Sequence, residues 1–316
     1  MTNADQRSAD RGRGARRRVR VSGIVRSYGV LAAALAGWTA LHRWQATPLG
    51  RIETRRRAQV SERIGTVLST ADIRVVFQPI VSTETGRLVG AEALSRFEAV
   101  NPADLPESPD LVFADAAQVG LGVELELLAV RTALLAAAAL PADLYVSMNI
   151  SPAALLDPGL VAALRGCSLS LDRVVLEITE HVSIPDYEVL AKRTEELRGL
   201  GVRLAVDDAG AGFASFRHIL QLCPEYIKLD RTLIENISED PARRALAAAV
   251  VLFAFEMGSA VVAEGVETVA ELQTAQVLGI DAAQGFLLGR PTDDWDTWAE
   301  WHDHGPLYRL PVVLGT

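Results

Sequence analysis

The sequence contains few cysteines and few aromatic residues for its size. Its 316 residues include two cysteines, Cys167 and Cys223, and 6% aromatic residues, although 49% of the residues are hydrophobic. The two cysteines have neither the spacing of metal ligands nor an accompanying pair of histidines, which argues against a zinc site and a disulfide framework. A reducing compartment is the simpler interpretation, and we predict a cytoplasmic location.

The sequence also lacks an apolar segment that predicts a membrane-spanning helix. Residues 27–41 form the uncharged segment SYGVLAAALAGWTAL, which is 15 residues long, whereas a transmembrane helix needs about 20. Because a basic arm precedes this segment, it could instead bind a membrane surface or act as an unprocessed signal-like segment. Packing against the body of the protein or a second subunit is an equally good alternative, and the sequence leaves the choice open.

Positive charge is scarce outside the amino-terminal segment. Residues 1–57 contain 13 arginines and three acidic residues, and the remaining 259 residues contain 18 basic and 37 acidic ones. A protein that binds a nucleic acid polymer needs a basic surface, so the acidic body argues against this function. A pocket of carboxylates that holds divalent cations would add to the negative charge, and so would solvated acidic helix faces, which are the commoner cause.

Lysine is the rarer of the two strongly basic residues. Only Lys192 and Lys228 are lysines among the 31 basic residues, and Lys228 lies in an apolar run. A buried amine can shift its pKa, whereas a guanidinium group stays charged, so a lysine at this position could take part in proton transfer. Chance is the alternative, and composition alone favours it.

The chain divides into an extension and one larger domain. We predict that residues 1–57 form a basic, partly disordered and partly helical extension, because residues 1–20 are rich in Arg and Gly without apolar periodicity. In residues 58–316, short apolar runs typical of strands alternate with Ala- and Leu-rich helical runs. The strand candidates are residues 74–80, 88–94, 144–150, 173–179, 202–207, 225–229, 260–264 and 282–287, and the helix candidates are residues 122–139, 152–164, 187–199, 214–221, 241–257, 268–278 and 293–302.

Eight strands joined by helices predict an α/β fold, a modified TIM-type (β/α)8 barrel. An open doubly wound sheet is the alternative. The first two strands are too close for a helix between them, and residues 82–86 are typical of a turn, so we predict that this pair is antiparallel and that the barrel has one antiparallel strand. Ser151-Pro152 and Asp240-Pro241 are predicted helix starts, because each combines a capping residue with proline in the first turn.

Most strand candidates end in a carboxylate, an amide or an amine. The carboxyl ends of parallel strands meet at one mouth of a barrel, where barrel enzymes keep their catalytic groups. Oxygen ligands favour Mg²⁺ or Mn²⁺ over zinc, and the adjacent Asp207 and Asp208 suggest a carboxylate shared between two ions that promote displacement at phosphorus. We predict that Lys228 has a lowered pKa there, so that it can help to deprotonate the attacking water. The polar residues at the strand ends are Glu92, Asn149, Glu177, Asp207, Asp208, Lys228, Asp230, Glu264 and Gln284.

Eight ordered motifs within residues 60–292 resemble the EAL family of cyclic-di-GMP phosphodiesterases. The family takes its name from the triplet found here as Glu92-Ala93-Leu94, which by itself occurs by chance in many proteins. The ordered series is the specific signal. The motifs are Phe77-Gln78-Pro79-Ile80-Val81, Gly90-Ala91-Glu92-Ala93-Leu94-Ser95-Arg96, Asn149-Ile150-Ser151-Pro152, Leu176-Glu177-Ile178-Thr179-Glu180, Asp207-Asp208, Lys228-Leu229-Asp230, Glu264-Gly265-Val266-Glu267-Thr268 and Gln284-Gly285-Phe286.

The resemblance implies hydrolysis of cyclic di-GMP to linear pGpG with two Mg²⁺ or Mn²⁺ ions, and a homodimer. Lys228 would contact the nucleophilic water and act with Glu264 in catalysis. The implied ligands of the first ion are Glu92, Asn149, Glu177 and Asp207, and those of the second are Asp207, Asp208 and Glu264. The implied substrate contacts are Gln78, Arg96 and Gln284. The implied supporting residues are Glu180, Asp230 and Glu267.

The loop after the paired aspartates departs from the family pattern. It reads Asp208-Ala209-Gly210-Ala211-Gly212, whereas the family has Phe-Gly-x-Gly after the aspartates. The missing aromatic residue puts the catalytic rate and the dimer geometry in doubt. The alternative function is a non-catalytic cyclic-di-GMP receptor that signals through a protein partner, although such relatives usually lack a metal ligand or the lysine. A pure interaction scaffold would leave the acidic cluster uncompensated.

Overall fold

A computed structural model describes residues 48–97, 108–178, 186–209 and 213–306. Its eight strands form a closed barrel in sequence order. β1 is antiparallel to both neighbours, β2 and β8, and all other neighbouring strands are parallel, which confirms the predicted barrel. The strands are β1 Arg74–Ser82, β2 Leu88–Arg96, β3 Tyr145–Asn149, β4 Val174–Ile178, β5 Arg203–Ala209, β6 Tyr226–Leu229, β7 Ala260–Ala263 and β8 Ala282–Ala283.

The helices of the described residues follow the strands around the barrel. Two 3₁₀ helices, Ala137–Ala139 and Leu171–Arg173, precede β3 and β4. The α-helices are α1 Pro48–Thr70, α2 Pro109–Val119, α3 Gly122–Ala136, α4 Pro152–Leu156, α5 Pro158–Gly166, α6 Tyr187–Arg198, α7 Phe213–Leu222, α8 Arg231–Ile234, α9 Pro241–Met257, α10 Val269–Leu278 and α11 Trp295–His304.

Both predicted helix starts are confirmed, but one predicted helix is two. The Ser151 side chain accepts a hydrogen bond from the backbone of Ala154, and Asp240 accepts bonds from the first turn of α9. The predicted helix 152–164 is interrupted at Asp157, whose extended backbone (ψ 135°) ends α4 and whose side chain caps α5. Helical geometry is disfavoured at a residue that precedes a proline, and Asp157 directly precedes Pro158.

β8 and α2 also differ from the sequence-based prediction. β8 has two residues and not the predicted six, because the chain turns at Gly285, where a Cβ atom would lie 2.1 Å from the backbone oxygen of Val266. α2 was not predicted. Its sequence, PDLVFADAAQV, carries only a short apolar stripe, of which Val112 and Ala116 are buried.

The interior of the barrel is filled in layers. Far from the mouth, the rings of Tyr145 and Tyr226 lie 5.1 Å apart, and the Arg203 guanidinium carbon lies 5.4 and 5.3 Å from their centres. Small and branched residues pack against these tyrosines, namely Ile80, Val175, Ala205, Val262 and Ala282. Side chains two residues apart on a strand point to the same side, so the next inward positions belong to the mouth.

Two predictions concern the amino-terminal part of the chain. The apolar segment 27–41 lies outside the described residues. The predicted boundary between residues 57 and 58 falls within α1, and both it and the two-domain organisation stay predictions. Across the described stretches of the chain, no helix has the length and hydropathy of a membrane span.

Candidate active site

The centre of the site is the amine of Lys228, on β6. Its side chain is 2% exposed, and its Nζ lies 2.7 Å from Glu177 Oε2 and 2.6 Å from Glu264 Oε1. Glu92 Oε2 and Asp207 Oδ1 each lie 3.6 Å from the same nitrogen. The structure therefore brings four of the carboxylates singled out in the sequence around one amine.

The pleat of the strands explains why these side chains meet. Lys228 follows Tyr226 by two residues on β6, and Glu177 follows Val175 by two residues on β4. Tyr226 and Val175 belong to the barrel interior, so Lys228 and Glu177 enter the same interior one layer nearer the mouth. The closed sheet then fixes the distances between groups from different strands.

A chain of amides borders the carboxylates on one side. Asn149 Nδ2 donates to Glu92 Oε1 at 3.1 Å, and Gln284 Nε2 donates to Glu92 Oε2 at 2.6 Å and to Gln78 Oε1 at 3.0 Å. Gln78 Nε2 in turn donates to the backbone oxygen of Gly289 at 3.1 Å. The remaining oxygen of the buried Gln284 has no hydrogen-bond partner among the described residues.

Three carboxylates form a group that could hold a metal ion. Asp207, Asp208 and Glu264 each offer an oxygen, and these oxygens lie within 4.8 Å of one another. Asp208 has a left-handed backbone conformation (φ 57°), and its N–H donates to Asp207 Oδ1 at 2.9 Å. Hard oxygen donors of this kind fit Mg²⁺ or Mn²⁺.

The electrostatics of the cluster determine the pKa of Lys228 when no ions are bound. Burial by itself lowers the pKa of Lys228, but Asp207, Glu177, Glu264 and Glu92 outweigh burial and hold the pKa well above its ordinary value. The raised pKa follows from the four negative groups around one amine. The predicted lowering concerns a lysine beside bound ions, and it stays a prediction.

The carboxylates of the cluster respond to burial in the opposite sense. Burial raises the pKa of Glu177 to about 8, against the effect of Lys228 and with the support of Glu92 and Asp207. Burial also raises the pKa of Glu264 well above its ordinary value. Because one amine cannot neutralise four carboxylates, some of the carboxylates bind protons more tightly than isolated carboxylates do.

Two cavities open beside the cluster. The smaller, about 270 Å³, is lined by Gln78, Glu92, Asp207, Arg231, Glu264, Gly265, Glu267, Gln284, Gly285 and Phe286. The larger, about 570 Å³, contains Arg96, Glu126, Asn149, Asp207 and Asp208 in its lining. Arg96 is half-buried there and donates to the backbone oxygen of Ser95 at 2.8 Å. The predicted substrate residues are thus divided between the two cavities, with Gln78 and Gln284 in the smaller.

The three predicted supporting residues have separate positions. Asp230 does not join the cluster. Instead it caps α8 by accepting from the backbone of Thr232 at 2.8 Å. Glu267 forms an ion pair of 3.1 Å with Arg231 at the smaller cavity. Glu180 lies outside the described residues.

Sequence reasoning missed several residues at the cavities. Glu126 lines the larger cavity, and its Oε2 accepts from the backbone of Ser151 at 2.6 Å. Burial raises the pKa of this carboxyl group. Its only signal in the sequence is its place between the buried Leu125 and Leu127 of α3. At the smaller cavity, Arg231 directly follows the motif Lys228-Leu229-Asp230, and Phe286 is the last residue of the motif Gln284-Gly285-Phe286, so both could have been found from the motifs.

The chain is thus a closed-barrel protein. The carboxylates, amides and single lysine at its mouth form a site of the kind that suits hard divalent cations. A family model described as EAL domain matches residues 57–291. The chain belongs to the EAL domain family, whose relatives include cyclic-di-GMP phosphodiesterases.

Individual relatives support this assignment. The chain is 31% identical over 223 residues to the bifunctional diguanylate cyclase/cyclic di-GMP phosphodiesterase MucR of Pseudomonas aeruginosa, covering 68% of this chain and 32% of MucR. Against the structure of the PaMucR phosphodiesterase in complex with c-di-GMP, the TM-score is 0.67 at 29% identity, covering 76% of this chain and 99% of that one. Against the manganese/cyclic-di-GMP complex of Klebsiella pneumoniae BlrP1 it is 0.60 at 32% identity, with coverage of 70% and 56%.

The chain spans about a third of the length of the first three curated relatives. The shares are 31%, 29% and 32%. The match therefore concerns one domain of each relative.

Proposed function

We propose that this chain hydrolyses cyclic di-GMP to linear pGpG with two divalent ions, Mg²⁺ or Mn²⁺. The observation that carries the proposal is the cluster around Lys228, in which four carboxylates lie within 3.6 Å of Nζ. A cluster of this charge is stable at neutral pH when cations share it. The named activities of the relatives, MucR above all, support the choice of substrate.

The donor set fits two ions. Asp207, Asp208 and Glu264 offer oxygens that lie within 4.8 Å of one another and would hold one of them. Glu92, Asn149 and Glu177, together with Asp207, would hold the other. When bound, the ions supply charge stabilisation to the attacking and leaving oxygens, and their charge lowers the pKa of Lys228.

The residues of the chain orient the water and accept its proton. Glu264 and Glu177 fix Lys228 Nζ from two sides, at 2.6 and 2.7 Å. The water oxygen attacks phosphorus, its proton passes to Lys228 in the neutral form that bound ions would favour, and the bond from phosphorus to the 3′ oxygen breaks. That oxygen takes up the proton from Lys228, and the product carries a 5′ phosphate. Arg96, with its forked donors, would bind a phosphate, and Gln78 and Gln284 would bind the substrate at the smaller cavity.

The test is a turnover assay with a matched pair of variants. Purified protein is incubated with cyclic di-GMP and Mn²⁺, with and without a chelator, and pGpG is separated by chromatography. We expect pGpG only without chelator. Glu92→Ala removes a proposed ligand and is expected to lower turnover by at least about 100-fold, the upper range for loss of a supporting contact at a metal. Glu124→Ala, at an exposed position of α3, is the control and should leave turnover unchanged.

The assay separates the two functions considered from the sequence. Binding of cyclic di-GMP by the wild-type protein without any pGpG after hours would contradict the proposal and favour the receptor. The loop after Asp208 gives the specific reason to test this, because an alanine, Ala209, takes the place of the usual aromatic residue and is 1% exposed.

The homodimer is proposed to form through α9. Leu246, Leu252 and Phe255 on this helix are 44%, 64% and 78% exposed. Antiparallel pairing of two copies about Ala249 would place Leu246 of each copy beside Leu252 of the other and bring Arg243 near Glu256 of opposite charge. Sedimentation as a monomer at micromolar concentration would contradict this proposal.

The proposed location is the cytoplasm, because both Cys167 and Cys223 are free thiols, as is usual in a reducing compartment. Peripheral membrane contact by residues 27–41 stays a prediction.

A further inference from the structure

Glu271, in the first turn of α10, is a buried carboxylate outside the acidic cluster. It is 5% exposed, and both of its oxygens accept backbone hydrogen bonds. Oε1 accepts from Asn236 at 3.0 Å, and Oε2 accepts from Glu267 at 2.9 Å and Thr268 at 3.0 Å. Burial by itself raises the pKa of Glu271, but these backbone donors outweigh burial and lower it. The side chain is therefore a charged acceptor with three donors.

Only part of this arrangement is an ordinary helix start. Thr268 Oγ1 accepts from the Glu271 N–H at 3.2 Å, and Glu271 returns a bond to the Thr268 N–H, which is a capping box. The bond to Asn236 lies outside the capping box. Asn236 is 35 residues earlier in the chain, in the segment that follows β6 and α8, and it has a left-handed backbone conformation (φ 58°). Glu271 thus joins two loops at the mouth of the barrel.

These two loops form one wall of the smaller cavity. Arg231, the first residue of α8, pairs with Glu267 from the loop after β7. Gly265 has a positive φ of 68°, and a Cβ atom there would lie 2.5 Å from Arg231 Cγ, so the arginine stem rests directly on the backbone of that loop. Arg231, Gly265 and Glu267 all line the cavity. The relative position of the two loops therefore sets the shape and charge of this wall.

The proposed metal ligand on the same loop is held independently. The Glu264 N–H donates to the backbone oxygen of Leu229 at 3.0 Å, which continues the pairing of β6 and β7. A shift of the loop beyond Gly265 would move Glu267 and Arg231 and leave the backbone of Glu264 in place. Such a shift would therefore weaken ligand binding and leave the chemical step unchanged.

We propose that Glu271 is a positioning residue that ties the loop after β6 to the loop after β7 and so fixes Arg231 and Glu267 at the substrate cavity. The identity of the ligand rests on the proposed function, whereas the tie between the loops does not.

The experiment uses two reciprocal variants. Glu271→Gln presents one oxygen and one NH₂ group. With its oxygen toward Glu267 and Thr268, its NH₂ group faces the Asn236 N–H, so the bond between the loops is lost and the cap remains. Thr268→Ala removes the cap hydroxyl and leaves all three bonds to the Glu271 carboxylate. A general loss of stability affects both variants, and a loss of the tie affects only the first.

Amide hydrogen exchange measures the hydrogen bond between Glu271 and Asn236 without any ligand. We expect exchange at Asn236 to rise about tenfold in Glu271→Gln and to stay within twofold in Thr268→Ala, because a lost bond to a carboxylate opens that amide locally. If Glu271→Gln fails to fold, Glu271→Asp serves instead, since its shorter side chain keeps the charge but cannot reach both loops. Unchanged exchange at Asn236 in the folded variant would overturn the proposal.

Equilibrium binding measures whether loss of this bond weakens the affinity of the cavity for its ligand. With Ca²⁺ in place of Mg²⁺, to follow binding without turnover, we expect the Kd for cyclic di-GMP to rise about fivefold in Glu271→Gln and to be unchanged in Thr268→Ala, a free-energy difference of about 1 kcal/mol. Faster exchange with an unchanged Kd would overturn the positioning role. A wild-type protein that fails to bind cyclic di-GMP would contradict the proposed function, and hydrogen exchange would still decide whether Glu271 ties the loops.

Discussion

The barrel interior holds two cationic side chains in opposite surroundings. At the far end, the Arg203 guanidinium packs against the rings of both Tyr145 and Tyr226 and hydrogen-bonds to the Tyr226 hydroxyl. At the mouth, Lys228 lies among four carboxylates. Tyr226 and Lys228 are two residues apart on one strand, so a single step of the pleat separates the two environments.

The two ends of the barrel differ in how the charge of the buried side chains is balanced. A guanidinium packed against aromatic rings gains about 0.5–2 kcal/mol from each ring. Four carboxylates around one amine carry excess negative charge that only protons or metal ions can balance. The aromatic rings stabilise the cation at the far end, whereas the mouth carries excess negative charge that bound protons or cations would offset.

The sharpest test of this contrast removes each cation in turn. Lys228→Met should lower turnover by about 100-fold or more, the usual range for loss of a proton-transfer group, with a much smaller effect on binding of cyclic di-GMP. It should also destabilise the metal-free protein by roughly 3–5 kcal/mol, because buried carboxylates lose their partner, and Mg²⁺ should recover most of this.

Arg203→Met is the matched control at the far end. We expect turnover within twofold of wild type and a loss of about 1–3 kcal/mol from the lost ring contacts, with no recovery by Mg²⁺. Turnover assays and urea unfolding in chelator or Mg²⁺ provide both measurements. An equal loss of turnover in the two variants would show that the layers are not separate.

The second test uses pH and should give a smaller effect. In metal-free protein the pKa of Glu177 is raised from 4.5 to about 8, so the folded state binds this proton more tightly than the unfolded chain does. The resulting stabilisation is complete below about pH 4.5 and is lost as the pH rises through about 8. We expect the free energy of unfolding to fall by roughly 1–3 kcal/mol between about pH 5 and pH 8.

Glu177→Gln, which resembles the protonated form, is the control for this pH dependence. It should flatten the profile, and so should saturating Mg²⁺, because ligands must be deprotonated to bind a metal. Urea unfolding across the pH range measures both. A wild-type protein that becomes more stable toward pH 8 without metal would refute the raised pKa.

The smallest expected effect concerns the far end alone. Tyr226→Phe keeps the ring and removes the hydroxyl that accepts from Arg203. The cost should be about 1 kcal/mol, the usual net value of one hydrogen bond, with turnover and metal affinity unchanged. Thermal unfolding and the turnover assay give the two measurements, and a change in metal affinity would count against the division into layers.

The positions of the catalytic candidates were predictable because strand period and parallel pairing are simple rules. Glu92, Glu177 and Lys228 follow apolar runs, and a barrel brings such strand ends together. The pKa of Lys228 was not predictable in the same way. Its direction depends on distances to four carboxylates from different strands, which no local pattern contains.

Contacts between distant segments were equally hidden. The bond between Glu271 and Asn236 links residues 35 positions apart, and in the sequence Glu271 appears only as the third residue of a capping box. The shortness of β8 depends on the close approach of Gly285 to Val266. Asp230 follows a strand like the metal-ligand candidates, but the short helix that begins at Arg231 uses it as a cap.

The reversed direction of β1 determines where the polypeptide enters the barrel. Arg74 begins β1 and pairs with Arg96 at the carboxyl end of β2, so the first strand starts beside the mouth that carries the acidic cluster. In an all-parallel barrel the first strand starts at the opposite face. The residues just before β1 pack here as well, since Ile64 and Ile73 share an apolar cluster with Phe97, next to Arg96. A mechanical or chemical input delivered through this last part of α1 would thus reach the rim of the larger cavity without crossing the barrel.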